Sequence, residues 1–319
     1  MNMITGITGQ DGILLSKLLR SQGEEFFGVI TEYSDPFRIE LLRREIQDVN
    51  LVQMPDFSEN SFSTILREWK PKKIFNFAAV SSVKLSFEKP DATHEVNYQL
   101  FANLISAVER VLDGDARVFQ SSSSEMFGNS GGESQNESTQ FKPISPYGES
   151  KLRAHLLARE YRDRGLFVTS GILFNHESEY RKKGFVVEKV TSYMANRKFG
   201  ATDKLELGDI DVSRDWGYAG DFVSGMYKSL KIDEPNEFVF ATGQTKSISD
   251  LVEISLRIIG DNSSLPDFVV SNPDLKRPTE KRFSKGDFSR AREILGWNPE
   301  TSFEQMLTKL IDSKLDQKE

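Results

Sequence analysis

The residues of this chain best suited to chemistry are Ser123, Glu125, Tyr147 and Lys151. Tyr147 and Lys151 stand four apart in a helix-forming run, so both project from one helix face. An ammonium beside a phenol favours the phenolate, which predicts that Tyr147 is a usable base near neutral pH. Such a pair suits hydride transfer to and from a carbinol carbon. Glu125 adds a carboxylate able to take a proton from a neighbouring carbon. That addition separates a dehydratase from a plain dehydrogenase. A carboxylate at a strand end is also readable as structural, but its place near Ser123 and the Tyr147 pair favours catalysis.

A second set of residues suits a cofactor. Gly6-Ile7-Thr8-Gly9-Gln10-Asp11-Gly12 follows an apolar run and opens a helix-forming one. Glycines there let the backbone approach a pyrophosphate, whose charge rests on the helix N-terminus. A strand-to-helix turn also keeps glycine for geometry alone, and the spacing is Gly-x-x-Gly-x-x-Gly. The candidate contacts are Gly6, Thr8, Gly9, Gln10, Asp11 and Gly12, with Asp56 on the adenine side and Ala78 and Ala79 against the cofactor. Tyr147 and Lys151 complete the set. Glu32 lies about twenty residues beyond Gly12, where an acid binds a ribose 2′-hydroxyl and repels a 2′-phosphate. It favours NAD over NADP, although a solvated charge after a strand is the competing reading. His176-Glu177 begins a metal-binding pattern but lacks a second histidine one turn on, where Tyr180 stands, so no metal is expected.

The elements that must carry these residues alternate regularly. Residues 1–5, 26–30, 51–53, 73–77, 117–121 and 167–173 read as strands. Residues 13–21, 38–46, 61–69, 97–111 and 147–164 read as helices, the 97–111 run being apolar enough for core or a subunit interface. Continuous apolar strands alternating with helices predict an α/β protein with a doubly wound parallel sheet. Polar residues 129–139 form a loop, near where ligands sit in such sheets. After Phe174 the rhythm breaks into charged, irregular segments around 177–184 and 272–284. The expected division is a dinucleotide-binding domain of residues 1–172 plus about 213–241, and a smaller C-terminal substrate domain of 173–212 and 242–319.

The chain of 319 residues is 38% apolar and 28% charged, as in a soluble globular protein. A net charge of −7 argues against nucleic acid or an anionic membrane as partner, so an anionic substrate needs a local cluster of Arg and Lys. With no cysteine there is no disulfide or thiolate chemistry, and three histidines leave little for zinc. No signal peptide or membrane-length run is visible, and a cytoplasmic protein is expected.

Several blocks carry a resemblance. Thr5–Gly12, Ala78–Val83, Ser123–Gly128 and Tyr147-x-x-x-Lys151 resemble the extended short-chain dehydrogenase/reductase superfamily, with its Rossmann-type sheet. Gly171–Ser178, Arg214–Ala219, Ala241-Thr242-Gly243 and Arg277-Pro278-Thr279-Glu280 are similar to the GDP-mannose 4,6-dehydratase family. The resemblance implies C4 oxidation of a hexose by tightly bound NAD(P), loss of water across C5 and C6, and return of the hydride to C6. It implies that Tyr147 is the base at the C4 hydroxyl, that Lys151 holds the ribose and tunes Tyr147, and that Glu125 takes the C5 proton. Ser123 stands where the family usually has Thr and would bond the C4 oxygen. Asn175, Lys189, Arg214 and Arg277 would contact the diphosphate and Glu280 the sugar or ribose, with Ser81 also at the substrate. The implied partners are a small nucleotide sugar and further copies of the chain, as a homodimer or homotetramer. Thr31-Glu32 replaces the family's arginine pair, and Glu179-Tyr180-Arg181-Lys182 its Pro-Arg-Arg-Gly, which weakens the case for NADP and the tetramer. Two other activities stay open: 4-keto reduction or epimerisation of a GDP-linked deoxysugar or heptose, and a silent NAD-sensing protein.

Overall fold

The computed structural model describes residues 1–129, 131–275 and 279–316. Its framework follows from short strands that are mostly buried, the edge strand β3 excepted. β1 (Asn2–Thr5), β2 (Phe26–Ile30), β3 (Asn50–Gln53), β4 (Lys73–Asn76), β5 (Arg117–Ser123) and β6 (Val168–Leu173) lie close to the expected runs. A further strand beyond those six, β11 (Glu237–Phe240), joins them in one parallel sheet ordered β11-β6-β5-β4-β1-β2-β3. Strands buried on both faces need apolar side chains throughout, which is why they read as runs rather than alternations. Phe27, Phe75, Phe119, Phe238 and Phe240 are fully buried in the two cores flanking the sheet.

The strand order reverses between β1 and β4, and ligands in such sheets bind beyond the carboxyl ends at that point. Register places the ends together: Thr5 pairs with Asn76, and Ser123 with Leu173. The glycine loop, the Ala78 loop and the Ser123–Glu125 turn therefore all leave the sheet on one edge.

The remaining strands are short: β7 (Asn175–Glu177), β8 (Leu205–Leu207), β9 (Ser213–Arg214), β10 (Trp216–Tyr218), β12 (Lys246–Ser247) and β13 (Val269–Ser271). They pair as β7 with β10, β9 with β12, and β8 with β13. A third core gathers around them, with Val190, Met194, Trp216, Leu251, Met306 and Leu310 all buried.

One helix departs from expectation in a useful way. The 97–111 run is helical only from Leu100 to Leu112, and a π-type turn, Glu95–Gln99, precedes it. That wider turn carries buried Asn97, whose side chain accepts from Val80 N at 2.8 Å and donates to Val80 O at 3.1 Å and Ser150 Oγ at 3.0 Å. Such π turns cluster at functional sites.

Candidate active site

The helix Pro146–Asp163 presents Tyr147 and Lys151. Ser145 caps it, accepting from Gly148 N at 3.0 Å, and Pro146 sits in the first turn where its missing N–H costs nothing. Gly148 is there for contact: a Cβ at that position would lie 2.7 Å from the Glu125 carbonyl oxygen. The helix start thus presses directly on the short 3-10 turn Ser124–Phe127, which Ser123 Oγ caps by accepting from Glu125 N at 3.2 Å. Tyr147 shares a hydrogen bond with the Ser123 hydroxyl and feels the Glu125 charge. Ser123, Glu125 and Tyr147 are together.

Lys151 behaves differently from expectation. Its Nζ donates to Ser121 O at 3.0 Å, and only 3% of the residue is exposed. Burial pushes it down to about 8, with Asp11 pulling the other way. Tyr147 is not lowered but pushed up to about 12, first by burial and then by Glu125, against the Ser123 hydrogen bond. The expected phenolate is therefore not a property of the Tyr147–Lys151 spacing alone, because desolvation outweighs a cation that is turned onto a main-chain carbonyl.

The glycine loop has the shape of a phosphate cradle. Gly6 has φ +66°, and a Cβ there would lie 2.6 Å from Ala78 N, so the β1 and β4 loops touch backbone to backbone. The helix Gln10–Ser21 begins at Gly9 with no side-chain cap, which leaves its leading N–H groups to a ligand. Buried Arg38 donates Nε to Thr8 O at 2.9 Å, and its Nη2 has no hydrogen-bond partner. These features fit a dinucleotide pyrophosphate.

Gln10 and Asp11 face across to the segment after β6. Gln10 Nε2 donates to His176 O at 2.9 Å, and Gln10 accepts from Ser178 Oγ. Asp11 lies 3.2 Å from His176 Nε2. Burial alone would raise Asp11, but His176 more than offsets it and the carboxyl sits below its usual range. His176 is raised in return, since Asp11 outweighs the burial that would lower it. The histidine is thus tied into the glycine loop. Asp56 is exposed beyond β3, its Oδ1 taken by Ser58 N and Ser61 Oγ at the start of the helix Glu59–Trp69.

The substrate side gathers distant residues. Arg214, 5% exposed on β9, pairs with Glu280 at 2.6 Å. Its neighbour Asp215 takes no part in that pair: it accepts from Thr242 N and Oγ1, Gly243 N and Gly286 N. Those bonds explain the Ala241-Thr242-Gly243 block and fasten the 284–287 segment beside β9. Asn175 on β7 and Lys189 on the helix Val186–Lys198 are half-buried, and Ser81 is exposed. No hydrogen bond among the described residues ties these three side chains to Glu125. Arg277 lies outside the described residues.

Residues 3–310 match the family model for GDP-mannose 4,6 dehydratase. The chain belongs to this family. It is 38% identical over 325 residues to GDP-mannose 4,6 dehydratase 1 of Arabidopsis thaliana, covering 98% of this chain and 89% of that one. To GDP-mannose 4,6 dehydratase of Homo sapiens it is 34% identical over 338 residues, covering 98% and 91%. Among solved structures, UDP-glucose 4-epimerase of Thermotoga maritima superposes with a TM-score of 0.88 over 100% of both chains at 22% identity. DesIV, a dTDP-glucose 4,6-dehydratase from Streptomyces venezuelae, gives 0.87 over 99% and 97% at 21%. These two likenesses establish the shared fold.

Within the GDP-mannose 4,6-dehydratase framework, three residues were not expected from motifs. Asn97 clamps the Ala78 loop to the Tyr147 helix, Arg38 backs the glycine loop, and Lys281 holds the Ser124 carbonyl next to Glu125. A polar residue inside the apolar 97–111 run was the one available signal for Asn97. Lys281 gave none, since lysine in a charged segment reads as surface.

Proposed function

We propose that the protein is a nucleotide-sugar 4,6-dehydratase acting on GDP-mannose or a close GDP-hexose. The observation that carries this reading is Glu125 held against the Ser123–Tyr147 hydrogen bond, in a chain of this family. Ser123 would hydrogen-bond the C4 oxygen, and Tyr147, in its phenolate form, would take the C4 hydroxyl proton, which C5 regains as the hydride returns to C6. Glu125 takes the C5 proton; the C–H electron pair forms the C5–C6 double bond, the C6 hydroxyl leaves, and the proton departs with it as water. The chemistry supplied by a nicotinamide cofactor, when bound, is reversible hydride storage, taken from C4 and returned to C6. Gly6, Thr8, Gly9 and Gly12 would hold its pyrophosphate, and Lys151 its ribose. Arg214 and Arg277, with Lys189 and Asn175, would meet the substrate diphosphate on a chain of net charge −7.

For the cofactor we favour NAD, because Glu32 is exposed just beyond β2 and repels a 2′-phosphate. The Arg38 Nη2 supports the opposite choice, since a guanidinium nitrogen without a hydrogen-bond partner would receive that phosphate. Calorimetric titration with each cofactor decides between them: tighter NADP binding, lost in R38M, would overturn the NAD assignment.

The test of the activity is direct. Purified protein incubated with GDP-mannose and other GDP-hexoses or heptoses is expected to give a 4-keto-6-deoxy product, lighter by one water, without net cofactor turnover. Steady consumption of NAD(P)H with a keto-sugar would instead favour the reductase alternative, and no product from any donor would end the dehydratase reading.

A further inference from the structure

Lys281 is the most deeply buried lysine among the described residues, with 1% of the residue exposed. Its Nζ donates to Ser124 O at 2.9 Å and lies 3.5 Å from Gln135 Oε1, itself fully buried. The Phe174 ring lies 5.9 Å from the same nitrogen. The charged groups that act on it are Glu125, which favours its ammonium, and Arg214, which opposes it. An ammonium in such surroundings is costly, so its retention asks for a use. Its one main-chain contact is on the residue immediately before Glu125.

We propose, on the dehydratase reading above, that Lys281 is a positioning residue for the elimination step, fixing the Ser124–Glu125 turn and supplying the counter-charge of Glu125. The demand is specific to elimination. Glu125 must begin as a carboxylate to take the C5 proton and then release that proton to the departing C6 hydroxyl. Lys281, bonded to the carbonyl of the residue just before it, holds the turn that aims this carboxylate through both transfers. C4 oxidation needs neither, since it uses Tyr147 and Ser123. Lys281 therefore separates the two halves of the reaction, and removing its charge should slow one and spare the other.

The experiment compares wild type, K281M and K281R in single-turnover reactions with GDP-mannose, following reduced nicotinamide by its near-ultraviolet absorbance and C5 exchange with deuterated solvent. Wild type should form product with little reduced cofactor standing. K281M should oxidise C4 at the wild-type rate but exchange the C5 proton at least about tenfold more slowly, so that reduced cofactor accumulates, while KM stays unchanged. K281R should restore exchange. It should also move the alkaline limb of elimination, expected near pH 8 where burial brings Lys281 into its titrating range, to higher pH. Lys151, brought to about 8 as well, is untouched by that substitution and serves as the control.

C5 exchange in K281M within twofold of wild type, or an alkaline limb unmoved in K281R, would overturn the proposal while leaving the dehydratase reading standing. Absence of product from wild type would instead bring down that reading and this role with it. If K281M loses cofactor binding and so proves misfolded, the limb of K281R decides alone.

Discussion

Two buried lysines grip the same short stretch of chain from different parts of the molecule. Lys151, from the helix Pro146–Asp163, donates to Ser121 O at 3.0 Å; Lys281, 157 residues beyond its own partner, donates to Ser124 O at 2.9 Å. Burial pushes both down to about 8. Their charges answer to different carboxylates: Asp11 of the glycine loop favours the Lys151 ammonium, and Glu125 favours that of Lys281. One lysine belongs to the cofactor half of the site and the other to the elimination half. Each lowered value corresponds to about 3 kcal/mol of unfavourable burial, a large share of the roughly 5–15 kcal/mol by which domains are stable. Strained electrostatics of this size are kept where charge is used.

The comparison breaks most readily through substitutions on each side. E125Q should lower dehydration by about a thousandfold or more while cofactor affinity, measured by calorimetry, stays at the wild-type value. K151M should instead weaken cofactor binding and slow C4 oxidation by roughly a hundredfold. Both variants stalling at one and the same step, in single-turnover kinetics, would dissolve the distinction between the halves.

Next in size is the glycine loop. G6A forces a Cβ to within 2.6 Å of Ala78 N at a φ of +66°. It should cost about 2–4 kcal/mol in urea unfolding and reduce cofactor affinity, leaving the Glu125 turn intact. A G6A protein as stable as wild type would show that the β1 and β4 loops are not in contact.

A further effect concerns pH. A lysine at about 8 in the folded chain and 10.5 unfolded binds fewer protons when folded across that interval, so stability rises with pH through it. Tyr147 works against this above pH 10, because its folded value near 12 exceeds the ordinary 10.0. Between pH 8 and 10, the free energy of unfolding measured with denaturant should rise by up to about 1.4 kcal/mol per pH unit for each lysine. K281M should lose part of that slope, and K151M a similar part. A flat profile in wild type would mean that neither ammonium is desolvated as the geometry requires.

Much of the cofactor half was legible in the sequence because its parts are contiguous. Gly6–Gly12 and Tyr147–Lys151 carry their geometry in their spacing, and the strands that place them are apolar runs with little ambiguity. What spacing could not carry was electrostatic sign. Tyr147 and Lys151 share a helix face, yet burial and the Ser121 carbonyl decide where the ammonium points. The substrate half was harder to read. Arg214 meets Glu280 while the adjacent Asp215 accepts from Thr242 and Gly243, a division between neighbours that spacing does not reveal. Asn97 and Lys281 act through chain segments far away in sequence, and no local pattern marks such a contact.

The central claim is that one active site oxidises at C4 and eliminates at C5 and C6, with Glu125 serving only the second act. The most direct test supplies GDP-mannose deuterated at C4 and follows the label by NMR. Wild type should deliver the deuterium to C6 of a 4-keto-6-deoxy product, and E125Q should take it from C4 without forming product. Deuterium lost to solvent or retained at C4 in wild type, or product formed by E125Q at the wild-type rate, would contradict the account.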